Sequence, residues 1–175
     1  MLSSFKPTWM VQSIYHISPE KLKKHGINTI LTDLDNTLIP WNNATGTEKV
    51  IKWIDKLHSY GIKVIVVSNN DPKRVRVAVK DLQLPFVSHA LKPLGIGIKK
   101  TLKSYHLKKN QVVMVGDQLM TDIWAANNCG IASIWVKPLK SSDMLPTKIN
   151  RYFEAIVYKM LQNKYSDLKW KEDID

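Results

Sequence analysis

The sequence predicts an α/β protein with a Rossmann-like, parallel five-stranded sheet and helices on both faces. Three observations predict it. Short β-branched runs recur through the middle of the chain, and stretches with helical spacing separate them. The runs are apolar throughout instead of alternating, as expected of strands covered on both faces.

The strands are expected at 28–35, 63–69, 85–90, 112–116 and 131–136. Between the first two, Val50, Trp53, Ile54 and Leu57 fall on one helical face. Val75, Ala78, Val79 and Leu82 repeat that spacing in the next gap. A third helix carries Ile98, Leu102 and Tyr105, and a fourth runs from Leu119 to about Asn128. Breakers punctuate the pattern: Gly61 ends the first helix, Pro72 opens the second and Gly130 closes the fourth. A last helix is expected over about 146–164, with Ile149, Tyr152, Phe153, Ile156, Val157 and Met160 on one face. Lys148, Arg151, Lys159 and Lys164 make it basic. Its apolar stripe is expected to pack on the sheet, the alternative being a membrane surface. The residues from about Lys169 onward are expected to fray.

The 175 residues suit a single domain, 1–175, with its core at about 28–138. Hydrophobic residues make up 44% and charged residues 23%, an ordinary globular balance that excludes a disordered chain. The one cysteine, Cys129, cannot form an internal disulfide and reads as a small buried apolar residue. No apolar run approaches the length of a transmembrane helix, and the N-terminus lacks a signal-peptide pattern, so a cytoplasmic protein is expected. The net charge of +11 favours anionic partners in general. No block is purely basic, so nucleic acid is the less favoured partner.

Ligands of an open parallel sheet bind at the carboxyl ends of its strands, which directs attention to the residues just past each run. These are Asp33, Asp35, Asn36 and Thr37; then Ser68, Asn69 and Asn70; then Lys92; then Gly116, Asp117 and Asp122. Singly, each group is ordinary turn chemistry. Together, each behind its own strand, they converge on one edge. Carboxylates packed together repel one another, and a divalent cation removes that cost. Oxygen ligands without His or Cys suit a hard ion such as Mg²⁺. Phosphoryl transfer requires mainly positioning and neutralisation of the phosphoryl oxygens, which Mg²⁺ and Lys92 would supply. Ser68, Asn69, Lys92 and nearby backbone N–H groups would hold a phosphate. A carboxylate can act as nucleophile and a second one as acid and base.

At these residues the chain resembles the haloacid dehalogenase (HAD) phosphatase superfamily. Asp33-Leu34-Asp35-Asn36-Thr37 resembles its first motif, Ser68 the second, Lys92 the third and Gly116-Asp117 through Asp122 the fourth. The resemblance implies Asp33 as nucleophile, Asp35 as acid and base, and Thr37 as its support. It implies a magnesium site of Asp33, Asp117, the backbone carbonyl of Asp35 and, through water, Asp122. The stretches from Asp35 to Ser68 and from Ser68 to Lys92 each hold little more than one helix and one strand. A capless HAD fold with an open site is therefore expected, acting on a large substrate or covered by another subunit in an oligomer.

Val11 to Tyr15, Leu34 to Trp41 and Gly116 to Ile123 bring the chain closer to subfamily IIIA and its YqeG-type proteins. These are similar to mitochondrial phosphatidylglycerophosphate phosphatases. That implies a phosphorylated lipid as favoured substrate and a peripheral position at an anionic phospholipid surface, with Trp9, Met10, Ile14 and Tyr15 as a second interfacial segment. The alternatives are a soluble phosphate ester, a nucleotide, a phosphoprotein, or a basic RNA- or ribosome-associated protein that retains the fold. Trp41 is expected at the pocket entrance, and His89 is the histidine expected nearest the site.

Overall fold

The computed structural model describes residues 2–43, 45–140 and 145–175, the last span without the side chains of residues 145–149. Six strands form one sheet: β1 (Trp9–Val11), β2 (Thr29–Thr32), β3 (Lys63–Val67), β4 (Phe86–Val87), β5 (Val112–Gly116) and β6 (Ala132–Val136). Their order is β1-β6-β5-β2-β3-β4, and every pair is parallel. The expected count of five misses β1. That strand is three residues long, too short for its own sequence to announce a period, and it pairs with β6 far along the chain.

The helices are α1 (Pro19–Lys24), α2 (Glu48–Ser59), α3 (Pro72–Val79), α4 (Ile96–Ser104), α5 (Trp124–Cys129) and α6 (Leu145–Lys164). Alternate strand residues feed two cores. Ile30, Val64, Val66, Val113 and Val115 meet α2 and α3 through Trp53, Ile54, Leu57, Val75 and Ala78. Leu31, Ile65, Val67, Val112 and Met114 meet α4 and α5 through Ile98, Ala125 and Cys129. All five residues of β5 and all four of β2 are buried, which explains why both runs are apolar throughout.

The fourth expected helix departs from regular geometry. It opens with a π-helical turn at Leu119–Ile123 before continuing as α5, and Gly130 ends it in the left-handed conformation at φ 67°.

The two chain ends build a third cluster at the sheet edge, where Phe5, Met10, Leu119, Ile123, Trp135, Leu161 and Leu168 are buried together. Met10 and Ile14 are buried and Trp9 and Tyr15 half-buried, so the N-terminal segment joins the sheet edge instead of standing out as an exposed interfacial stripe. The tail is not frayed either. Lys171 N–H donates to the Met10 carbonyl at 2.9 Å, Gln12 N–H donates to the Lys171 carbonyl at 3.1 Å, and Ile174 is fully buried.

α6 packs on this third cluster as expected, but through a different face. Glu154, Val157, Tyr158 and Leu161 face inward, whereas Tyr152, Phe153, Ile156 and Met160 are exposed. Of the expected stripe Val157 packs on the cluster; Glu154, Tyr158 and Leu161 each lie one position away from a stripe residue. The expected helix positions Pro146, Lys148 and Ile149 lie outside the residues whose side chains are described.

Candidate active site

The strand order reverses at β2: the chain passes from β2 to β3 and β4 on one side, then crosses to β5 and β6 on the other. That switch point sets the end of β2 beside the end of β5. Asp33 N–H donates to the Val115 carbonyl at 2.9 Å, which places Asp33 next to Gly116 and Asp117. The first motif then turns sharply. Leu38 and Ile39 N–H both donate to the Leu34 carbonyl, and Asn36 takes the left-handed conformation at φ 65°. The turn leaves Asp33 buried and Asp35 a quarter exposed.

Asp33, Asp117 and Asp122 each offer a carboxylate oxygen within 4.8 Å of the others, and all three are buried. A glycine makes this possible. A Cβ on Gly116 would stand 2.3 Å from the Asp122 side chain, so any larger residue there would expel Asp122 from the cluster. Lys92 spans the group, donating to Asp33 Oδ1 at 2.6 Å and to Asp122 Oδ1 at 2.7 Å. Thr37 Oγ1 donates to Asp117 Oδ1 at 2.9 Å; it braces the metal-type carboxylate, and no hydrogen bond joins it to Asp35 among those described. Gln118 N–H donates to Asp122 Oδ2 at 3.1 Å.

Electrostatics follow from burial and crowding. Burial pushes the Asp33 carboxyl upward; the Lys92 ammonium opposes this, and Asp122 and Asp117 add to it. Burial raises Asp117 too, against Arg151. Burial disfavours the Lys92 ammonium, but the Asp122 and Asp33 carboxylates outweigh it and hold its pKa above the ordinary lysine value. Three crowded carboxylate oxygens with no His or Cys among them form a hard donor set, and a divalent cation there would relieve their repulsion.

Of the expected phosphate groups, the Ser68 hydroxyl is buried and accepts from Asn70 N–H at 3.1 Å. The Asn69 amide uses both ends on the Lys92 backbone, accepting from its N–H at 2.8 Å and donating to its carbonyl at 3.0 Å. Asn69 therefore fastens the loop that delivers Lys92. Leu91 in that loop stands at φ 53°, a strained conformation for a bulky residue.

Two arginines outside the expected site residues enter the site. Arg74 of α3 donates to Asp35 Oδ1 at 2.7 Å and to the Trp41 carbonyl at 3.3 Å, and Asn70 Nδ2 donates to Asp35 Oδ2 at 3.0 Å. The Trp41 carbonyl thus shares the Arg74 guanidinium with Asp35. His89 is exposed, and its contact with the site is a backbone hydrogen bond to Asn70. Arg151 of α6 pairs with the Asp117 carboxylate and donates to the Asp117 carbonyl at 2.5 Å. Glu154 receives Arg151 at 3.0 Å and Met120 N–H at 3.3 Å; burial raises its carboxyl to about 7, against the pull of Arg151. Arg151 is legible in the sequence only as basic charge on the last helix, and no spacing singles out Arg74.

Carboxylates at the ends of two adjacent parallel strands, bridged by a lysine and with no domain inserted between them, define a capless hydrolase of the HAD type. The sequence profile of the haloacid dehalogenase-like hydrolases matches residues 6–130, and the chain belongs to that family. It is 39% identical to the protein named "Probable phosphatase YqeG" of Bacillus subtilis, over 96% of this chain and 97% of that one. A chloroplastic phosphatidylglycerophosphate phosphatase of Chlamydomonas reinhardtii is 28% identical over 78% of this chain, which spans about half (54%) of that relative's length. Among solved structures, the cobalt-bound deoxy-D-mannose-octulosonate 8-phosphate phosphatase of Haemophilus influenzae matches the fold with a TM-score of 0.53 and 17% identity, covering 80% of this chain and 90% of that one. The protein is a phosphatase of the HAD family.

Proposed function

We propose that the protein hydrolyses a phosphate monoester in a Mg²⁺-dependent reaction through an aspartyl-phosphate on Asp33, and that the 175 residues act as one domain. The observation that carries this reading is Asp33 Oδ1 held by Lys92 at 2.6 Å within the buried three-aspartate cluster. Asp33, Asp117, Asp122 and the Asp35 carbonyl would hold Mg²⁺, which when bound neutralises carboxylate and phosphoryl charge. Asp33 attacks phosphorus while the P–O bond to the leaving group breaks, and Asp35 gives that oxygen its proton. Asp35, now a carboxylate, takes a proton from water as the water attacks the phosphoryl group. Phosphate leaves and Asp33 is restored. Lys92, Ser68 and backbone N–H groups past β3 steady the phosphoryl oxygens, while Asn69 and Thr37 hold Lys92 and Asp117 in place.

The favoured substrate is a lipid-borne phosphate, phosphatidylglycerophosphate in particular. The likeness to the Chlamydomonas enzyme, the uncapped site and the +11 charge support it. No helix among the described residues is long and apolar enough to cross a membrane, so such a substrate would be met at the membrane surface. Phosphate release from an aryl phosphate, with Mg²⁺ and with EDTA, tests the chemistry. A comparison of phosphatidylglycerophosphate in mixed micelles with soluble phosphate esters tests the substrate. Equal or better turnover of the soluble esters removes the lipid reading.

A further inference from the structure

Among the described residues, seven of the eleven large apolar side chains left exposed fall in two segments that also carry a cation of the active site; the other four, Ile51, Tyr60, Val77 and Tyr105, are scattered over other elements. Leu91, Leu94 and Ile96 are exposed in the loop that carries Lys92, Leu94 by 64%. Tyr152, Phe153, Ile156 and Met160 are exposed on α6 directly after Arg151, Tyr152 by 68%. The two segments lie far apart in sequence, and each is tied to the carboxylate cluster by its own cation: Lys92 on Asp33 and Asp122, Arg151 on Asp117.

α6 therefore has two apolar faces. Glu154, Val157, Tyr158 and Leu161 recur at i, i+3, i+4 and i+7 and turn inward; Phe153, Ile156 and Met160 recur at i, i+3 and i+7 and turn outward. A helix that only covers the sheet does not need the second face. The sole acidic residue of α6 is Glu154, which is buried, while Lys159 and Lys164 are exposed beside the outward face.

We propose that the outward face of α6, together with the Leu91–Ile96 loop, docks on an anionic lipid bilayer and holds the active site at its surface. Charge chooses this occupant. A second copy would set lysine against lysine in a protein of net charge +11, whereas an anionic bilayer accepts both the lysines and the apolar stripe between them. A nucleic acid would use the lysines and leave Ile156 and Met160 in water. The docking face rests on the lipid-phosphate reading for its purpose, but its test does not depend on turnover.

The test is co-sedimentation with phosphatidylcholine vesicles, with and without phosphatidylglycerol, for the wild type and for Phe153→Ser/Ile156→Ser. Circular dichroism melts check each fold. Wild type should bind the phosphatidylglycerol vesicles in a salt-sensitive way, and the double variant should bind on the order of tenfold or more weakly. If the double variant melts early, Leu94→Ser and Met160→Ser carry the same comparison. Wild type that ignores the vesicles, binds them equally without phosphatidylglycerol, or binds no better than the variants overturns the proposal. A wild-type dimer that the variant dissociates, without vesicle binding, assigns the stripe to a second copy and overturns it too. Aryl phosphate hydrolysis by the same wild-type preparation keeps the two readings apart. Binding without hydrolysis sinks the chemistry and leaves the docking face standing; hydrolysis without binding does the reverse.

Discussion

The floor and the rim of the site are built from the same residue types in different surroundings. On the floor, Asp33 and Asp117 are buried just past strand ends and Asp122 in the π-helical turn that follows β5, and the three share Lys92 and Arg151. On the rim, Asp35 is two residues from Asp33 yet a quarter exposed, and it is held by Arg74 and Asn70 from outside the sheet. Strand pairing fixes the floor, so its carboxylates cannot move apart to relieve their repulsion and must be compensated in place. Helix and loop side chains fix the rim, where water screens each charge.

The sharpest break between the two should come from Asp33→Asn. Phosphate release is expected to fall by on the order of 10⁴-fold or more, because no other group can take the phosphoryl, with the fold intact in thermal melts. Asp35→Asn should cost about 10² to 10⁴ in kcat, the range of one acid–base group, while leaving Mg²⁺ affinity nearly unchanged. If Asp35→Asn weakens Mg²⁺ binding as much as Asp122→Asn does, the division between floor and rim fails.

Mg²⁺ itself should raise the melting temperature of the wild type, by about 2.7 kcal/mol of stability at a hundred times its Kd. Apparent affinity should rise with pH as Asp33 and Asp117 shed the protons that burial makes them retain. Titration calorimetry at several pH values checks both the effect and its sign.

Arg151→Ala leaves the Asp117 carboxylate buried without its cation. The metal-free protein should lose about 2 to 3 kcal/mol, between the values for exposed and buried pairs, and Mg²⁺ should restore most of it. A melt equal to wild type without Mg²⁺ would show that Arg151 belongs to the rim. The smallest effect should be Arg74→Ala. Its partner keeps Asn70 and water, so kcat should fall by at most about fivefold.

How much could be read in advance divides along the same line. Asp33 and Asp117 follow apolar runs whose burial on both faces shows in composition alone, and the parallel-sheet rule then brings their ends together. Gly116 was legible as part of a motif, but the Cβ clash that demands it was not, since that depends on how close Asp122 approaches. Arg74 and Arg151 were legible only as helical cations, because a side chain's reach across a helix–sheet gap leaves no period in the sequence. The outward turn of Phe153 and Ile156 was missed for a related reason: α6 carries two apolar faces, and spacing alone does not say which one the sheet edge at Trp135 and Leu168 will select. β1 was invisible because its strand character comes from its partner.

The seam joining β1 to the tail has a consequence for biosynthesis. β2 finds β3 within a short stretch of newly made chain, but β1 waits for β6, and its remaining edge waits for Lys171. Through most of translation, then, Trp9, Met10 and Val11 emerge with nothing to pair with. A ribosome-bound chain would expose that segment to chaperones and proteases after β2 and β3 have both been made.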